Sequence, residues 1–108
     1  MAGAKVKVPE RARKGEVIEI RSLAIHPMES GFRHDNVGKL VPRHIIKRFT
    51  CHYDGKEVFS VTLHPAITAN PYFSFHVVAT TSGEFVFTWT DDRGQVITER
   101  AGIEVAAS

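Results

Sequence analysis

The feature that most constrains this chain is an apolar alternation of period two that returns in short bursts from one end to the other. Lys5-Val6-Lys7-Val8 alternates strictly, and 15–26 carries Val17, Ile18, Ile20, Leu23 and Ile25. Runs over 45–53, 57–63, 72–81, 85–90 and 96–105 follow. They are rich in β-branched and aromatic residues and bounded by Gly, Pro, Asp or Asn. Successive side chains of a strand point to opposite faces, so these runs suit half-buried strands. No window has the 3.6 period of a long amphipathic helix, and the best helical candidate is a single turn between Pro65 and Thr68. Seven candidate strands in 108 residues predict an all-β, immunoglobulin-like, two-sheet antiparallel sandwich. The whole chain, 1–108, reads as a single domain. At this length a domain buries roughly two thirds of its unfolded surface, enough for a core without staples.

Two hairpins can be placed in register. A three-residue loop at Tyr53-Asp54-Gly55 sets Phe49 opposite Phe59. It gathers Ile45, Phe49, Cys51, Phe59, Val61 and Leu63 on one face, leaving Ile46 and Val58 as exceptions. A two-residue loop would scatter the apolar residues over both faces. At Asp92-Arg93-Gly94 a three-residue loop pairs Trp89 with Ile97 and Phe85 with Ala101. Phe85, Phe87, Trp89, Ile97, Ala101 and Ile103 then share a face, with Glu99 as the misfit.

Two connections are not simple turns. The stretch 27–42 has no period and mixes Phe32 and Leu40 with Arg33, His34 and Asp35. Long connections in compact domains are often functional. This one reads either as a binding element or as a flap packed over one end of its own sandwich. The stretch 64–71 is fixed by Pro65 and Pro71 and reads as a rigid crossover between the sheets.

The chain offers no catalytic constellation. Its six histidines lack zinc-type spacing and read as scattered surface residues, so no metal, cofactor or catalytic residue is assigned. Asp91-Asp92 suits turn chemistry. Glu29 lies four residues from Arg33 with nothing in the pattern to orient it. The lone cysteine, Cys51, reads as a small partly buried hydrophobe, and secondarily as a thiol able to bridge to another chain. Fourteen Lys plus Arg against twelve Asp plus Glu leave a net charge of +2, spread along the chain. No Lys or Arg lies in 72–90 to flank its aromatics, so no nucleic-acid partner is expected. No apolar run approaches the ~20 residues that span a bilayer, and no membrane contact is expected. Met1–Glu10 lacks the apolar stretch of a secretory signal, which by itself favours the cytoplasm.

Four blocks resemble the SoxZ family, the small subunit of the bacterial sulfur-oxidation carrier complex. They are 26–31 (His-Pro-Met-Glu-Ser-Gly), 42–51 (Pro-Arg-His-Ile-Ile-Lys-Arg-Phe-Thr-Cys), 63–75 and 87–94. The resemblance runs from about Val6 to Val105. It implies an immunoglobulin-like sandwich that forms a heterodimer with SoxY. In that family the cysteine arm of SoxY carries the sulfur intermediates of thiosulfate oxidation, and other Sox enzymes visit it transiently. It implies a non-catalytic scaffold in the periplasm, co-exported with SoxY, whose signal serves both. On this reading Phe32, Arg33, His34 and Leu40 are the candidate partner interface. A homodimer is expected when the partner is absent. The alternatives are a generic immunoglobulin-like binding module with no role in sulfur chemistry, and a thiol enzyme at Cys51.

Overall fold

The computed structural model of the chain describes residues 3–65, 67 and 69–107. Among these, eight strands run in the order β1 (Gly3–Lys7), β2 (Arg11–Arg13), β3 (Val17–Ile25), β4 (Ile46–Tyr53), β5 (Lys56–Thr62), β6 (Tyr72–Val78), β7 (Gly83–Asp91) and β8 (Val96–Ala106). They form a three-stranded sheet, β1-β3-β6, and a five-stranded sheet, β2-β8-β7-β4-β5. The fold is all-β and immunoglobulin-like, as the alternation predicts. The addition is β2, three residues long and so too short for a period to register. It pairs with β8 in parallel, the exception to an otherwise antiparallel arrangement. The turn expected over 65–68 falls partly outside the described residues.

Both sheets turn their apolar faces inward. Ile18, Ile20 and Ala24 of β3 and Phe75 of β6 are buried with Phe49 and Cys51 of β4, Phe85, Phe87 and Trp89 of β7, and Ile103 of β8. Phe49 lies at the centre of an aromatic stack, with ring centroids 4.9 Å from Trp89 and 5.5 Å from Phe73. Phe59 stacks on Phe75 at 4.2 Å. Such pairs add about 0.5–1.5 kcal/mol each beyond the area they bury. The Tyr53 hydroxyl is also tied, accepting the N–H groups of Thr80 and Thr81 at 3.2 and 3.1 Å. It thereby fixes the path from β6 into β7.

The second hairpin has the predicted register, with Trp89 opposite Ile97 and Phe85 opposite Ala101. The first does not. Its loop is the two residues Asp54-Gly55, with φ of 51° and 82°, the left-handed pair of a tight hairpin turn. A register shift next to Cys51 then inserts one residue, Val58, and Phe49 pairs with Val61 rather than Phe59. The bulge restores the parity that a plain two-residue loop would have broken. Phe49, Cys51, Phe59 and Val61 therefore do share the inner face, and the spare residue Val58 is exposed.

The chain between β3 and β4 builds an arm rather than a flap. Residues 32–40 are all exposed. The arm's order is local. Arg33 O accepts the Val41 N–H at 2.8 Å, and Asp35 O accepts the Gly38 N–H at 3.0 Å. Asp35 Oδ1 accepts the Val37 and Lys39 N–H groups at 3.0 and 2.9 Å. Gly31, at φ 91°, passes so close to Arg43 that a Cβ there would lie 3.1 Å from the arginine's own Cβ. The molecule measures 61 Å along its long axis and 20 × 19 Å across. The eleven-residue β8 accounts for about 36 Å at ~3.3 Å per residue.

Candidate functional site

The arm is rooted where four chain segments meet: the end of β3, the approach to β4, the β7–β8 turn and the approach to β6. His26 follows β3 and is 1% exposed. Its backbone N–H donates to Asn70 Oδ1 at 2.9 Å, and its carbonyl accepts the Asn70 N–H at 2.7 Å. His26 Nδ1 accepts the Met28 N–H at 2.9 Å. Met28 holds a left-handed backbone, φ 53°, while its buried sulfur accepts the Ile46 N–H at 3.3 Å. Glu29 and His44 exchange backbone hydrogen bonds of 2.9 Å, closing the root into a short two-stranded bridge.

Beneath this bridge lies a buried polar cluster. The His44 ring Nε2 is 2.9 Å from Asp91 Oδ2, and Asp91 is fully buried. Asp91 Oδ1 accepts the Arg93 and Gln95 N–H groups at 2.9 and 2.7 Å, the turn chemistry expected of it. Burial by itself would raise the Asp91 carboxyl. The bonds from His44, Gln95 and Arg93 outweigh it and hold that group below its ordinary value. The His26 ring meets the His44 ring edge to face, with centroids 4.6 Å apart and planes at 73°. Burial, and then His44 beside it, push the His26 pKa down.

His26, His44 and Asp91 offer atoms within 4.8 Å of one another, a spacing that invites a cation. The tautomer of His26 argues against one. With Nδ1 accepting an N–H, the neutral ring carries its proton on Nε2 and has no lone pair to turn into the cluster. Moving that proton to Nδ1 would set two donors against each other. The arrangement is a clasp that ties the arm to the sandwich.

The candidate interface residues are all in the arm. Phe32 is 81% exposed and Leu40 52%, and Val37, which the sequence reading passed over, is 85% exposed. His34 bridges to Leu40 across the arm. Arg33 donates to both oxygens of Glu29 at 3.0 and 2.7 Å, so Glu29 is oriented after all, and the guanidinium holds its carboxyl below the usual range. Cys51 corrects an expectation. It is fully buried, not partly, and burial pushes its thiol up to about 12. In this fold the sulfur is sealed between the sheets, out of reach of another chain.

The clasp is what sequence reasoning missed. His26, His44 and Asp91 sit at three separate strand ends, so no spacing motif joins them. Only the register of the two sheets brings them together.

An immunoglobulin-like sandwich with a clasped, apolar-tipped arm defines the class. The family model described as "Sulphur oxidation protein SoxZ" matches residues 6–102, and the chain belongs to that family, which ties it to sulfur oxidation. No curated protein matches the chain. Among solved structures it is similar to the sulfur carrier protein SoxY from Chlorobium limicola f thiosulfatophilum, with a TM-score of 0.69 and 14% identity, covering 98% of this chain and 81% of that one. It is also similar to the superoxide reductase (neelaredoxin) from Ignicoccus hospitalis, with a TM-score of 0.71 and 17% identity, covering 96% of this chain and 80% of that one. At these identities the likeness is one of fold.

Proposed function

We propose that this chain is the non-catalytic subunit of a SoxYZ carrier complex. It scaffolds SoxY, whose cysteine arm carries sulfur intermediates during thiosulfate oxidation in the periplasm. The observation that carries this reading is membership of the SoxZ family over residues 6–102. The arm supports it physically. Phe32, Val37 and Leu40 lie in water on a segment held by its own hydrogen bonds, an arrangement that raises the free energy of an isolated monomer and favours a partner. Arg33 and His34 sit beside them as the polar rim. A stable heterodimer of this kind buries more than about 1,000 Å² in total.

Co-expression with a SoxY chain tests the proposal. The expected result is a complex with one copy of each chain on a sizing column. Separate elution, or a homodimer that SoxY does not displace, would leave only a generic immunoglobulin-like binding module. Reconstituted thiosulfate oxidation separates scaffold from enzyme: Cys51→Ser should keep most of the turnover. Loss of turnover with SoxY binding intact would move the chemistry onto this chain.

A further inference from the structure

We propose that His26 is a proton-sensitive latch for the arm: its neutral imidazole holds the root closed, and taking up a proton opens it. The inference concerns this chain alone and does not depend on the identity of any partner.

The geometry leaves a second proton no place. His26 is 1% exposed, and its Nε2 is buried without a hydrogen-bond partner among the described residues. The lone pair that remains, on Nδ1, already accepts the Met28 N–H at 2.9 Å. A proton arriving there turns an acceptor into a donor, and two N–H groups then face each other. Among the described residues the charged ring also finds no acceptor at its other nitrogen. A buried cation without acceptors is strongly disfavoured, so the chain must move before the proton can stay.

The charged and titratable groups packed against His26 do not relieve this. His44, on the approach to β4, faces the ring edge to face at 4.6 Å and repels it when charged. Asp91, at the end of β7, attracts a proton on His26. Its Oδ2 is held by His44 and its Oδ1 by two backbone N–H groups. Asp92, the next residue, accepts from Arg43 Nε at 3.1 Å and from the Ile45 N–H at 3.3 Å. Asn70 engages the backbone of His26 and is neutral.

The element that gives way is Met28. Its left-handed backbone is uncommon for a side chain with a Cβ, and the bond to His26 helps to hold it. Once the imidazole repels the Met28 N–H, that strain is free to relax. The methionine sulfur then leaves the Ile46 N–H at the other root of the arm. Opening at His26 therefore reaches both ends of the arm.

The sign follows from the direction of the shift. A histidine whose folded pKa lies below its ordinary value of about 6.5 contributes its full stability above that value. The contribution fades as pH falls toward the folded pKa. Asp91 and Glu29, both held below their ordinary values, stay ionised through the start of that window.

Amide hydrogen exchange on the full chain at pH 7.5 and pH 5.5, corrected for intrinsic rates, tests the latch. The expected result is severalfold faster exchange at Met28 and Ile46 at pH 5.5, up to the about tenfold that one proton on a free imidazole of pKa about 6.5 allows, with the centres of β4 and β7 unchanged. His26→Asn, whose side-chain oxygen can accept the Met28 N–H and does not titrate, should remove the step. Equal protection of the two amides at both pH values, or a step that persists in His26→Asn, would overturn the proposal. If the variant does not fold, nitrogen NMR of the wild-type ring decides alone. A neutral ring protonated on Nε2, with a midpoint below 6.5, supports the latch. The other tautomer, or a midpoint at or above 6.5, refutes it.

Discussion

In the sandwich, Phe49, Phe87 and Trp89 show no surface to water; in the arm, Phe32 and Val37 show most of theirs. The sandwich side chains are held by apolar burial on both sides and by stacked rings. The arm is held by a carboxylate that caps its tip, an ion pair along its side and a polar clasp at its root. Nonpolar burial sums over many contacts and depends little on any one polar atom. A clasp concentrates its effect in a few hydrogen bonds that depend on protonation and geometry. The contrast teaches a division of work: the body supplies stability, and the arm presents apolar surface that contributes nothing to the body's folding.

The largest effect should come from the body. Phe49→Ala removes the ring at the centre of the stack and should destabilise the fold by about 3–5 kcal/mol in denaturant unfolding. A loss under about 1 kcal/mol would mean the body is not the source of stability. The clasp should come next. Asp91→Ala strips the acceptor from His44, Arg93 and Gln95, at a cost of about 2–4 kcal/mol. Faster amide exchange should then spread along the arm before it reaches β7. Cys51 should matter little to chemistry. A thiol pushed up to about 12 and buried should ignore a disulfide reagent in the native chain and react fully in denaturant. Rapid native labelling would contradict its placement between the sheets.

The body was legible in the sequence because its signal is local. Alternation assigns each residue to a face, and the Asp92-Arg93-Gly94 loop fixed one register correctly. The other register escaped because a tight turn and a bulge combine to give the same facing as a longer loop, so facing alone cannot separate them. β2 escaped because its three residues are paired by β8, not by their own pattern. The clasp was illegible for a stronger reason. His26 and Asp91 are far apart in the chain, and each is neighboured by ordinary turn residues. Their meeting is a property of sheet register, and a charged residue buried by register looks like a surface residue until the register is known. The exposed arm was easier to notice, since a long unpatterned stretch carrying Phe32 and Leu40 stands apart from everything around it.

The smallest effect on folding should be paired with a large effect on binding, and this is the most direct test of the division. The double variant Phe32→Ser, Leu40→Ser should unfold within about 0.5 kcal/mol of the wild type, because neither side chain is buried. Its affinity for SoxY, measured by titration calorimetry, should fall by at least about 30-fold, roughly 2 kcal/mol. Wild-type affinity in a folded double variant would contradict the arm as the docking element.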